Sequence, residues 1–161
     1  MIKNLLFAIT LTVTINSFAG DTTNIQVHDH TDMTWNGNYD EWGVFPDGSK
    51  TYRKIYLHYT MGCASSGCSD WDYTTKIEVL HRTGQLDTSL NEIIESYELA
   101  RVITPYGNGL NNNWEFTHIF DITDFASILQ DSVEIRAHYG GWSSGFSATL
   151  DFEFIEGTPP R

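Results

Sequence analysis

Ala148-Thr-Leu-Asp-Phe-Glu-Phe-Ile155 is the stretch on which the fold turns. Apolar and polar residues alternate through it without a break. A strand with that pattern carries Ala148, Leu150, Phe152 and Phe154 on its inner face and Thr149, Asp151 and Glu153 on its outer one. The same period of two recurs outward along the chain. Val133-Glu-Ile-Arg-Ala-His-Tyr139 turns Val133, Ile135, Ala137 and Tyr139 inward. Trp114-Glu-Phe-Thr-His-Ile-Phe-Asp121 gathers Trp114, Phe116, His118 and Phe120 on one face. Tyr97 to Thr104 is a strand ended by Pro105, and residues 24–30, 52–59 and 73–80 read as strands too.

Between these runs lie turn and loop residues. Trp35-Asn-Gly-Asn-Tyr-Asp40 has turn chemistry, because Asn36-Gly37 favours a left-handed backbone. Trp42 to Pro46 is a short apolar piece stopped by Pro46-Asp-Gly48, and His81-Arg-Thr-Gly84 turns the chain. Gly107 to Asn113 is a polar loop, and Gly140 to Gly145 is a glycine-rich one carrying Trp142. Thr123 to Leu129 reads as one helical turn with Thr123 or Asp124 as N-cap. Gln85 to Ser96 is open: Leu90, Ile93 and Ile94 have helical spacing, and an elaborated hairpin loop fits as well. Seven or eight short strands with almost no helix predict an all-β, antiparallel sandwich.

The chain has 161 residues. Its start has the form of a secretory signal: Lys3, then an apolar run from Leu5 to Ile15 too short to span a bilayer, then Ser17-Phe-Ala19. The expectation is a signal peptide over residues 1–19, one domain over 20–161, and a secreted or periplasmic protein. The net charge of −12 becomes −13 once Lys3 leaves, since no other charged residue lies in that segment. Nucleic acid and anionic membrane surfaces are poor partners for such a chain, which has no Lys/Arg cluster. Neutral ligands such as glycans remain open. An aromatic content of 14 % suits a sandwich core and sugar stacking alike, so it does not choose between them.

The chemistry concentrates in Met61-Gly-Cys-Ala-Ser-Ser-Gly-Cys-Ser-Asp-Trp-Asp-Tyr73. Two cysteines in an exported protein, Cys63 and Cys68, read as a disulfide. So small a loop gains only about 2 kcal/mol from closure, which points to local shaping. Asp72 is the leading catalytic candidate. A carboxylate beside the Trp71 indole at a strand opening is expected to lose solvation and to act as a base or hold a water. The competing reading makes Asp70 and Asp72 ordinary strand-edge acids. His28-Asp-His30 could present two imidazoles to copper or zinc, but no spacing supplies further ligands. Tyr106 with the loop from Gly107 to Asn113 could line a polar pocket or be plain solvated loop. No Ser-His-Asp arrangement, phosphate loop or zinc motif is visible.

A family resemblance adds to this. Cys68-Ser-Asp-Trp-Asp72 with Cys63 upstream resembles the catalytic loop of the peptide-N-glycosidase F family. Arg101-Val-Ile-Thr-Pro-Tyr106, Asp121 to Leu129 and Asp151 to Pro159 resemble family motifs in the same order. The resemblance covers roughly residues 24 to 160. It implies a jelly roll of about eight strands, the first of two such domains. The implied activity is hydrolysis of the amide joining an N-linked glycan to asparagine, with no metal and no cofactor. Asp72 matches the essential aspartate. Trp71, Trp142 and Ile103 match residues lining the cleft for the chitobiose core, and Cys63 and Cys68 match a family disulfide; Asp70 and Tyr73, beside Trp71 and Asp72, are expected to bind substrate as well. The fold also resembles copper-dependent, ascorbate-using monooxygenase domains, a kinship of fold only.

The chain departs from the family pattern at three positions. Tyr73 stands where the family has arginine, Gly140 where it has a helper glutamate, and Gly107 where it has an aromatic. The sequence also stops at Gly157-Thr-Pro-Pro-Arg161, where the family's second domain would begin, so the expectation is a fragment whose missing domain is its partner. Two readings follow: the leading half of a secreted glycoamidase, or a glycan- or protein-binding module that kept the fold. A copper monooxygenase-like domain using His28 and His30 is the distant third.

Overall fold

The computed structural model describes residues 20–159. The signal-peptide expectation therefore falls outside the described residues. Eight strands run β1 (Thr22–Thr34), β2 (Gly37–Val44), β3 (Tyr52–Cys63), β4 (Thr74–Leu86), β5 (Glu92–Ile103), β6 (Glu115–Asp121), β7 (Ser132–Tyr139) and β8 (Ser144–Glu156). They form two antiparallel four-stranded sheets, ordered β1-β8-β3-β6 and β2-β7-β4-β5. This is the antiparallel sandwich that the alternating runs predict and the eight-strand jelly roll that the family resemblance implies.

The two cleanest runs are central strands. β8 is paired on both sides, by β1 and β3, and β7 by β2 and β4. Ala148, Leu150, Phe152 and Phe154 are fully buried, and so are Ile135, Ala137 and Tyr139 across the sandwich. Ile55, Leu57, Tyr59 and Met61 of β3 join them. Phe45 closes the core edge-on to Phe152, with ring centroids 5.0 Å apart. Each large side chain buried this fully is worth roughly 1.5–3 kcal/mol.

Elsewhere the structure refines or corrects the reading. Gln85 to Ser96 is not helical. β4 and β5 continue as a hairpin whose turn is held by the Asp87 carboxylate, which accepts from the Ser89 and Asn91 amides at 2.8 and 2.9 Å. Leu90, Ile93 and Ile94 stay exposed, so their helical spacing serves no buried face. Residues 123–125 form a 3-10 helix, but its N-cap is Ile122, with no side-chain cap. Thr123 is used otherwise: its hydroxyl accepts the Ile55 amide at 3.0 Å and donates to Asp121 at 2.5 Å. Phe120 of β6 and Trp114 just before it pack on the core, yet Phe116 is exposed, because an edge strand is covered on one flank only.

Connectivity decides where function can sit. Strands alternate in direction, so the links β1–β2, β3–β4, β5–β6 and β7–β8 all emerge at one end of the sandwich. The β1–β2 turn at Trp35-Asn36 is tight, with both residues left-handed (φ 44° and 49°). It is not a hairpin turn, since β1 and β2 belong to different sheets.

Candidate functional site

The four links at that end comprise residues 35–36, 64–73, 104–114 and 140–143. Their only charged side chains are Asp70 and Asp72; no lysine or arginine is among them. Trp35, Trp71, Tyr106 and Trp142 all lie there exposed, and Ile103 is exposed at the rim.

Ser69 organises the end. It is buried, its amide donates to the Gly145 carbonyl at 3.3 Å, and its carbonyl accepts the Gly107 amide at 2.8 Å. Its hydroxyl pairs with Ser143 Oγ at 2.7 Å and accepts the Trp71 amide at 3.3 Å. Three loops thus meet on one serine, and two glycines make room for it. A Cβ on Gly145 would lie 2.2 Å from Ser69 N, and one on Gly107 2.2 Å from Ser69 O. The glycine at 107 is therefore a packing requirement here, and it explains the departure from an aromatic at that position. The Cys63–Cys68 disulfide closes the preceding turn, with Cα atoms 4.4 Å apart. The Asp32 carboxylate holds the same turn by accepting the Ser65 amide.

Beyond Ser69 the chain arches out. β4 starts at Thr74, one residue later than the sequence pattern implies, and Tyr73 is the far anchor. Its amide donates to Thr104 Oγ1 at 2.9 Å, its carbonyl accepts the Thr104 amide at 2.8 Å, and its ring packs edge-on to Tyr139 at 5.6 Å. Asp70, Trp71 and Asp72 span the gap and are exposed. The expected desolvation of Asp72 by Trp71 is not met. Both side chains are exposed on the arch, so the indole does not bury the carboxylate. The Asp72 carboxylate instead neighbours the Tyr106 phenol and raises its pKa above the ordinary value. The Trp71 and Tyr106 rings meet edge-to-face at 6.5 Å.

Trp142 tops the β7–β8 turn, 70 % exposed. The Gly140 amide there donates to the Thr74 carbonyl at 2.9 Å. A side chain at 140 would start 3.2 Å from Thr74 O and 3.8 Å from His138 Nε2. The position thus faces the foot of the arch, and here it offers no carboxylate. The structure brings Asp70, Trp71, Asp72, Ile103 and Trp142 to one end. Tyr73 it places half-buried beneath them. It adds Tyr106, whose ring meets that of Trp71, and Trp35 as a further exposed indole. The Asn36-Gly37 pair marked a turn here, but the left-handed residues are Trp35 and Asn36, and Gly37 already belongs to β2.

The histidine pair does not form a metal-binding face. β1 is bulged on both sides of His28, which breaks the alternation that would align it with His30. His28 is buried between the sheets, with Nδ1 on Thr31 Oγ1 at 3.1 Å and Nε2 on the Ile135 carbonyl at 3.3 Å, while His30 is exposed. Burial holds the His28 imidazole below its ordinary pKa. Among the described residues no three His, Cys, Asp or Glu side chains gather as a metal set.

Fold and loop end together define a two-sheet jelly-roll domain with an aromatic, carboxylate-bearing tip. No family model matches the chain. Over 150 residues it is 27 % identical to peptide-N(4)-(N-acetyl-beta-D-glucosaminyl)asparagine amidase F of Elizabethkingia miricola, covering 90 % of this chain and 40 % of that protein. The crystal structure of a PNGase F described as a glycosylasparaginase from Flavobacterium meningosepticum superposes with a TM-score of 0.64 at 25 % identity, over 86 % of this chain and 43 % of that one. PNGF-II shares the fold, with a TM-score of 0.64 at 13 % identity over 87 % and 35 % of the two chains. These matches fit a PNGase F family domain. The chain spans about 40 % of the length of the curated relative.

Proposed function

We propose that this domain is the leading half of a secreted glycoamidase that hydrolyses the amide between an N-linked glycan and asparagine, with Asp72 as its base. The observation that carries the reading is the coincidence of position. The residues that resemble the family's catalytic loop stand together at one end of the sandwich, beside exposed indoles and two carboxylates that hold no turn. Asp72 would take a proton from water as the water oxygen attacks the amide carbonyl carbon. The carbon–nitrogen bond then breaks, a proton passes to the departing glycosylamine nitrogen, and aspartate remains. Tyr106 lies beside Asp72 and Trp71 at the same end. Trp71, Trp142 and Ile103 pack on the chitobiose core, and Asp70 accepts its hydroxyls.

An open arch is a poor place for a base, and Gly140 supplies no helper. The reading therefore assigns the missing wall and helper carboxylate to a second domain of the same full-length protein. Closing over the arch, that domain would exclude water and strengthen Asp72. Export by a signal peptide belongs to the same proposal. A denatured N-glycopeptide in 18O-labelled water tests it. The two-domain protein is expected to convert asparagine to aspartate with one 18O incorporated, and Asp72→Asn to slow this by about 10²–10⁴-fold. Undiminished release by that variant would remove Asp72 from the mechanism.

The exposure of Asp72 and the bare Gly140 favour one second reading, a non-catalytic glycan-binding module. It expects glycopeptide binding without release even with the second domain present, and wild-type affinity in Asp72→Asn.

A further inference from the structure

Trp35 has no part in the core. It is 67 % exposed, yet its backbone is left-handed at φ 44°, a region that bulky side chains rarely occupy. Asparagine or glycine would suit the turn better, so the fold gains nothing from an indole there. Strain at an exposed aromatic calls for a use outside the fold. The turn is also fixed relative to the site. The Trp35 amide donates to the Ser143 carbonyl at 3.3 Å and the Asn36 amide to the Gly141 carbonyl at 2.5 Å, so the two bonds bracket Trp142.

The chemistry of this end selects the ligand. With two aspartates and no cation in the four links, it repels anions. Flat indoles offer faces to carbon–hydrogen surfaces, and carboxylates accept hydroxyl donors. A neutral pyranose presents both.

From this, and resting on the glycoamidase reading, we infer that Trp35 is an outer sugar platform. It stacks on a ring of the glycan further from the asparagine than the sugars beside Trp71 and Trp142. It thereby sets a preference for longer, neutral glycans.

The test measures binding by calorimetry for this chain and its Trp35→Asn and Trp35→Phe variants. The probes are the N-acetylglucosamine disaccharide, a neutral high-mannose glycan and a sialylated glycan. Asparagine tolerates the left-handed turn, so the melting temperature of Trp35→Asn should hold or rise. Expected is a loss of about 3- to 10-fold in affinity for the high-mannose glycan, with disaccharide binding unchanged. Partial recovery in Trp35→Phe and weaker wild-type binding of the sialylated glycan are expected as well. Equal high-mannose affinities in wild type and Trp35→Asn would overturn the platform and leave the glycoamidase reading standing. A fall in melting temperature, with both neutral probes weakened alike, would make Trp35 structural and overturn it too. Wild-type binding of no probe by this chain would overturn the platform, while the glycoamidase reading, whose far wall lies in the second domain, stands or falls on glycopeptide hydrolysis by the two-domain protein.

Discussion

The two ends of the sandwich solve the same problem with different chemistry. At the far end the links after β2, β4 and β6 are turned by aspartates. The Asp47 carboxylate accepts the Ser49 amide at 3.0 Å, Asp87 accepts those of Ser89 and Asn91, and Asp121 that of Thr123 at 3.1 Å. Lys50 pairs with Glu156 and Lys54 with Asp121. At the site end, turn-holding falls to a disulfide, close glycine contacts, the hydroxyls of Ser69 and Thr104, and one carboxylate, Asp32. Asp70 and Asp72 are thereby left free of turn-making. Mostly neutral scaffolding leaves the site end's charge available to a ligand, whereas the far end consumes its charge in staying folded.

Glycine substitution probes this contrast with the largest effect. In Gly145→Ala the new Cβ falls 2.2 Å from backbone at Ser69, where three loops meet. Overpacking of that kind should cost about 2–3 kcal/mol. Gly84, in the far half of β4, has a left-handed φ of 69° but open space around it, so Gly84→Ala should cost only about 1 kcal/mol. Denaturant melts of the two variants check the order, and equal losses would break the contrast. Next comes the disulfide. Cys63→Ala with Cys68→Ala should cost about 2 kcal/mol. Hydrogen exchange should quicken at the amides of Trp71 and Gly107, with Ser89 and Asn91 unchanged. Uniform quickening at both ends would mean that the bridge is a global staple.

How far the sequence foretold all this depends on where a residue's partners come from. β8 and β7 were legible because central strands bury one face from end to end, so alternation is obligatory. The β4–β5 hairpin was not, since it projects with apolar residues exposed and its spacing obeys no buried face. A turn near Asn36 was legible, but not that Trp35 and Asn36 would make it, with Gly37 already in β2, nor its passage from one sheet to the other, which depends on β7 and β8. Asp72 could be singled out from its neighbours and from resemblance. Its exposure could not, because it follows from Ser69 being held by Gly145 and Gly107, 76 and 38 positions further along the chain. The approach of Tyr106 to the arch was hidden for the same reason.

The smallest effect concerns pH, and it should fall on the far end alone. Hydrogen bonds from Lys54 and Thr123 hold the Asp121 carboxyl at about 2, below its ordinary 3.8, and turn hydrogen bonds pull Asp47 and Asp87 down as well. A carboxylate depressed in the folded state takes up its proton later than in the unfolded chain. Its stabilisation is therefore complete above about pH 4 and fades as the pH falls towards 2. Asp121 is 43 % exposed and screened by water, so its share stays below about 1 kcal/mol. Asp121→Asn should flatten that part of the acid titration, and added salt should do so in part. Exchange at the far-end amides, Thr123 above all, should rise between pH 4 and 2 while Gly107 keeps its protection. If the Gly107 amide opened in the same window, the site end would depend on charge after all. The contrast between a neutral scaffold and a charged one would then fail where it is easiest to measure.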